Sequence, residues 1–288
     1  MKQSIASSIK RPLSRRCNSP TVAGGGGGSA LDYAALFTSY SMTNGWCLDG
    51  APGQSAFWED TGATTACSVS GTSPVGLIDD MLADAGGVGS VVQATTGAKP
   101  VYYEDGNGVR WFRYGLVGGG NRFMSPAASV FVGSALTQIA VYRKTADVSG
   151  NYALILGTYN SGWGSGGYHW LAGVDGADQA NFLCDAGTSG LVVSASASGP
   201  TIVVAKRSGT GTNQSTITTY NMAGEQIGTA TGTQNATPAN ALSLGYQGTN
   251  GSGLDCAFQF VGIGAAISAE DEALVVADLV AKFGEWAP

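Results

Sequence analysis

Charge is scarce in this chain of 288 residues: Asp, Glu, Lys and Arg make up 12%, about half the usual share of roughly 25%. No stretch approaches the roughly 18 consecutive apolar residues of a membrane-spanning helix. The first residues are basic but lack the continuous apolar segment of a signal peptide. No CxxC pair occurs, and the five cysteines (Cys17, Cys47, Cys67, Cys184, Cys256) are odd in number. That argues against a disulfide framework and against a structural zinc site. They read as reduced, mostly buried thiols of a protein assembled in a reducing cytoplasm. The spacing of Cys47 and Cys67 leaves a bridge between them open. Histidine occurs once, as His169.

What is abundant is glycine, 45 residues, within a chain that is 43% hydrophobic. The glycines follow no three-residue period, which excludes collagen. Short segments rich in Val, Ile, Tyr and Phe recur between Gly, Asn, Asp and Pro, at 90–94, 100–103, 109–114, 136–143, 153–156, 191–194, 201–205, 215–220, 241–246 and 258–264. About a dozen such strands with hairpin-length gaps mean antiparallel pairing, because parallel pairs need long crossovers. Two stacked sheets bury their apolar faces most simply. The fold class expected is therefore all-β, an antiparallel sandwich.

Two helices are expected as well. Residues 31–37 can form a short one, with Asp32 near its start. The second covers 269–283. Ser268 is followed three residues later by Asp271, a capping-box variant, and Gly284 supplies the stop. Leu274, Ala277, Val280 and Ala281 are placed on its buried face, and the helix is expected to close the end of the sandwich.

The charge that exists is unevenly distributed. Of 14 basic and 20 acidic residues, five basic ones (Lys2, Lys10, Arg11, Arg15, Arg16) and no acidic one fall in the first 31, which leaves the remainder at net −11. A run of five glycines at 24–28 follows, a flexible joint by composition. The chain thus divides into a basic N-terminal arm and linker, 1–28, and a sandwich body, 29–288. A basic arm on an acidic body points to anchoring on an acidic surface. Nucleic acid is disfavoured, because five charges without interleaved aromatics make a small footprint.

Catalytic signatures are missing. A Ser-His-Asp triad would have to use His169, yet no G-x-S-x-G elbow accompanies it. Sandwich glycosidases need two carboxylates at controlled separation. The pairs Glu59–Asp60, Asp79–Asp80 and Glu104–Asp105 are adjacent, and Glu270-Asp271-Glu272 sits at a helix start. No E-x-D-x-x-E strand motif is present. The stretch 118–121 (GGGN) lacks the GK[ST] ending of a phosphate loop. Asp175, Asp178 and Asp185 lie in a polar region where turn chemistry explains them as well as calcium would. The expectation is a non-enzyme with no cofactor and no metal.

Sugar recognition needs aromatic faces with amide or carboxylate partners. The stretch 159–170 (YNSGWGSGGYHW) offers Asn160, Trp163, Tyr168, His169 and Trp170. Trp163, between glycines, is the best exposed platform. Tyr168 and Trp170 share one strand face and also suit a core.

From about 35 to 125 the chain resembles bacteriophage and prophage virion proteins with a concanavalin A-like (laminin G-like) jelly roll. The match runs through Ala35-Leu36-Phe37, Gly45, Trp46, Asp49, Pro52, Phe57, Asp60, Gly62 and Thr64-Thr65. It continues through Pro74-Val75-Gly76, Asp80, Gln93-Ala94-Thr95-Thr96 and Ala98-Lys99-Pro100, and resumes at 260–264 and Ser268-Ala269-Glu270. Lys99 stands where the family carries Arg, and Tyr114 where it carries Asp. Arg11-Pro12-Leu13 fits the short basic arms at the front of such proteins. The resemblance implies a jelly-roll fold, a virion location, and a capsid or tail protein as the arm's partner. It also implies homo-oligomers and fold-defining rather than catalytic motif residues. Head decoration or head fibre is the first expectation, a tail-fibre or baseplate component the second. A stand-alone lectin for host-surface glycans is the competing one.

Overall fold

The structure is a computed structural model. It describes residues 30–114, 125–126, 134–145, 152–158, 169–174, 179–183, 190–196, 199–234, 243–244 and 254–286. In chain order the strands begin with β1 (Thr43–Asp49), β2 (Phe57–Trp58), β3 (Leu77–Ile78), β4 (Val91–Val92), β5 (Val101–Glu104) and β6 (Arg110–Tyr114). Next come β7 (Ser125–Pro126), β8 (Leu136–Lys144), β9 (Tyr152–Thr158), β10 (His169–Val174), β11 (Gln179–Leu183) and β12 (Leu191–Ser194). The last are β13 (Thr201–Arg207), β14 (Ser215–Tyr220), β15 (Gln226–Gly232), β16 (Ser243–Leu244) and β17 (Leu254–Ile263). Helix α1 spans Tyr33–Ser39 and helix α2 Ala269–Phe283.

The main sheet runs β15-β14-β13-β8-β17-β6-β5, and β1 adds to the same edge of β17 as β6. A second sheet runs β12-β11-β10-β9-β16, and a small one β2-β3-β4-β7. All pairings are antiparallel, as the short connections require. The inner core joins Trp46, Leu48, Phe112, Leu136, Ala140, Val203, Ala205, Ile217 and Val261 of the main sheet to Ala180, Phe182 and Val193 of the second. This is the antiparallel β-sandwich that the strand spacing predicts.

The central strands, however, are apolar on both faces. Ile139, Val141, Ile202, Val204, Phe258 and Phe260 face away from the inner core, and β17 is buried at all ten positions. Near-continuous hydrophobic runs of this kind need cover on both sides. Both helices supply it. Tyr33 of α1 packs on Phe258 and Phe260, and Phe283 of α2 on Phe258. Helix α2 thus lies across the outer face of the main sheet instead of closing the end of the sandwich, a correction to the sequence-based expectation. Its buried face is also different. Glu272, Val275, Val276, Leu279 and Phe283 point inward, while Ala277 and Ala281 are exposed. The larger side chains remove more apolar area from water than the alanines can, so they set the rotation. The cap itself is as expected: Ser268 accepts from the amide of Asp271.

Strand β1 contains Asn44-Gly45, residues that read as a turn. Gly45 is there because a Cβ would sit 1.9 Å from the carbonyl oxygen of Val261 on β17. The close approach seats Trp46 fully in the core.

Candidate functional site

The described residues form an open groove beside α2. It holds about 630 Å³ between that helix and the β14–β15 hairpin. The floor is Thr218, Tyr220 and Gln226; one wall is Ala269, Ala273, Val276, Ala277 and Val280; the hairpin turn closes it with Ala223 and Gly224. The floor exists because β14 alternates. Ile217 faces the inner core, which sends Thr218 and Tyr220 outward. The hydroxyls of Thr218 and Thr229 approach to 3.3 Å and those of Thr216 and Thr231 to 3.4 Å, so a threonine ladder continues along the hairpin.

Glu272 is the charged group of the groove. It accepts from the Tyr220 hydroxyl at 2.8 Å and is ion-paired with Lys206 of β13. Burial pushes the Tyr220 phenol above its ordinary value, and the hydrogen bond to Glu272 adds to the shift. A lining of apolar and hydroxyl groups with few convergent charges suits binding by contact and hydrogen bond.

The other buried carboxylates are committed to structure. Asp49, fully buried, accepts from the Ala51 amide at 2.9 Å and from Lys282 at 2.8 Å. Asp80 accepts from the amides of Cys47, Leu82 and Gly89. Burial raises its pKa, and those three amides oppose the rise. Asp255, fully buried, takes a two-pronged Arg113 contact at 2.6 and 2.8 Å and a third bond from Arg143 at 3.0 Å. Asp60 caps a turn through Thr64, Gly62 and Thr65, and these hydrogen bonds, the Thr64 hydroxyl foremost, hold it far below the usual carboxylate range. Gly45, Asp49, Asp60 and Asp80 therefore act as packing and turn residues. The thiols of Cys47, Cys67 and Cys256 are all free, so no bridge joins Cys47 to Cys67 here.

The solved structures that resemble this fold include an arabinofuranosidase complexed with arabinofuranosyl-alpha-1,2-xylobiose, at 14% identity and a TM-score of 0.51, covering 73% of this chain and 51% of that one. The receptor binding domain of botulinum neurotoxin type G matches at 10% identity and a TM-score of 0.47, covering 80% of this chain and 51% of that one. Trypanosoma rangeli sialidase in complex with sialic acid matches at 11% and 0.47, covering 76% and 32%. The likeness is one of fold. The chain thus spans from about a third to about half the length of these proteins. No family model matches the chain, and no curated protein does.

Of the residues that sequence reasoning assigns to a sugar site, His169 and Trp170 open β10, the middle strand of the second sheet. His169 pairs with Thr158, and Trp170 with Gly157 and Leu183. Asn160, Trp163 and Tyr168 lie outside the described residues, as do Asp175, Asp178 and Asp185 and the arm residues Lys2, Lys10, Arg11, Arg15 and Arg16. Among the described residues no cluster of three or more His, Cys, Asp or Glu side chains is arranged to hold a metal ion. The groove beside α2 was not foreseen, since it joins residues about 50 positions apart. Its only local trace is the i, i+4 spacing of Ala269, Ala273 and Ala277.

Proposed function

We propose that this chain is a non-enzymatic structural protein of a bacteriophage virion. In this reading the basic arm anchors it to the particle, and the sandwich presents a weak carbohydrate-binding surface. Head decoration or head fibre is the first location, tail fibre or baseplate the second. One observation carries the reading. The chain enters the fold on the helix-covered face, where the Leu31 amide donates to Asp278 of α2 at 2.8 Å, while β10 with His169 and Trp170 belongs to the opposite layer. An anchor on one side leaves the other side free for a host surface. Many arrayed copies would then turn feeble sugar contacts into useful avidity.

The commitment of Asp49, Asp80, Asp255 and Glu272 to internal partners supports a binding role over hydrolysis. The sugar ligand named for the arabinofuranosidase structure supports carbohydrate as the ligand class.

Particle fractions from phage-producing cells, separated on a density gradient and probed for this chain, test the reading. The full chain should co-sediment with particles, and deletion of residues 1–28 should release it. A full chain found only in the soluble fraction ends the virion assignment; a truncated chain that still co-sediments ends the role of the arm. Incubation with host capsule or lipopolysaccharide should give retention without new reducing ends. Their appearance would make the protein an enzyme.

A further inference from the structure

The groove beside α2 has features that select its occupant. Its wall carries three alanines and leaves space for a segment of chain, and its surroundings are acidic. Segment 269–286 carries Glu270, Asp271, Glu272, Asp278 and Glu285 against Lys282 alone, a net charge of −4. Glu270 beside Ala269 and Glu225 beside Gly224 are both exposed at its margins. An anionic ligand is disfavoured there and a cationic one favoured.

The chain supplies such a ligand within reach. Residues 1–29 lie outside the described residues and hold five basic and no acidic side chains. They join the body at the flank of α2 that meets α1, where Asp278 holds the Leu31 amide and the Tyr33 hydroxyl. The groove residues lie on the other flank. Crossing the helix takes about 10–12 Å, and the five glycines at 24–28 span up to about 17 Å when extended. The wall from Ala269 to Val280 runs about 16 Å along the helix, the length of about five extended residues.

We propose that this groove is the resting dock of the chain's own arm, with residues 11–17 extended along α2. Leu13 packs on the alanine wall, and Arg11, Arg15 and Arg16 lie against Glu225 and Glu270. A short tether keeps the arm at an effective concentration in the millimolar range, which favours its own groove over a neighbour's. Docking is then competitive. A surface offering denser negative charge, in many copies, draws the arm out. The inference does not depend on the virion reading, because it concerns the free protein.

Native Cys17 makes the test direct in the full chain. A277C introduces a thiol at an exposed position in the groove wall, and V69C one at a distant exposed position. Under mild oxidation at low salt, A277C should form an intramolecular disulfide with Cys17, identified by peptide mass spectrometry, at least tenfold faster than V69C. Raising salt to 0.5 M should slow it about fivefold, as the charges are screened. Equal rates for the two variants, or no bridge in A277C, overturn the proposal. A bridge between two molecules overturns it too, because the occupant would then be a second copy's arm. As an independent readout, A277W should fill the groove and expose the arm, so that trypsin cuts after Arg15 and Arg16 about tenfold faster than in the parent. Unchanged cleavage also rejects the dock. Failure of particle association would leave these results untouched.

Discussion

Replacing Lys282 with methionine removes a cation that ties helix α2 to the main sheet. The ammonium donates to Asp49 at 2.8 Å, is paired with Asp278 at 3.0 Å, and lies 4.9 Å from the centre of the Tyr33 ring. Its side chain is 11% exposed and that of Asp49 is fully buried. In K282M the Asp49 carboxylate keeps the Ala51 amide but loses its only ion-pair partner among the described residues. Leaving one member of a buried pair uncompensated costs about 3–5 kcal/mol. With a urea dependence of about 3 kcal/mol per molar, the denaturation midpoint should fall by about 1 M or more. The double variant D49N/K282M removes the orphaned charge and should recover about 2 kcal/mol of that loss. The pH dependence has a definite sign. Burial disfavours the ammonium, but Asp49 and then Asp278 outweigh it and hold the folded pKa above the ordinary value. The contribution is therefore complete below the unfolded value of about 10.4 and is lost as pH rises through the folded pKa. Urea titrations followed by tryptophan fluorescence at pH 8 and pH 11 should show the parent losing more stability than K282M. A midpoint within 0.3 M of the parent, or parallel alkaline losses, would refute the argument.

Other expected outcomes follow from packing and exposure. Gly45→Ala forces a Cβ onto the Val261 carbonyl and should lower stability by about 3 kcal/mol or more, read as a fall in Tm. Leu279→Ala opens the outer core and should cost about 2–5 kcal/mol, whereas Ala281→Ser on the exposed face should stay within about 0.5 kcal/mol. The Cys67 thiol, pushed up to about 12 chiefly by burial with Glu59 adding to it, should alkylate at pH 8 on the order of a thousandfold more slowly than a free thiol. Site-resolved mass spectrometry measures that rate, and a rate near that of an exposed cysteine would contradict the packing around it.

The legible parts of the fold are those written locally. Strands β12 and β14 and helix α2 occur where the sequence places them, because β-branched runs, Ser268 and Gly284 act on near neighbours. Strand β1 was hidden, since Gly45 answers to a carbonyl on β17 more than 200 residues away. The face of α2 was misread because Glu272 interrupts the apolar stripe; its partners Lys206 and Tyr220 come from other strands. The layer on which α2 lies depends on β17 sitting between β8 and β1, a pairing order with no local signature. The groove is hidden for the same reason: the sequence shows neither that β14 ends beside α2 nor that a gap separates them.

The position of β17 also has a consequence for synthesis. The strand at the middle of the main sheet is the last one made, with β8 bonded along one edge and β6 and β1 along the other. Until residue 263 has left the ribosome, β1 and β8 each present an unfilled edge and α1 has no Phe258 or Phe260 to cover. The main sheet therefore cannot close until β17 has emerged, and pairing of such sequence-distant strands is slow. Nascent chains should depend on chaperones until then, and a stop codon before β17 should leave an insoluble product rather than a smaller folded one.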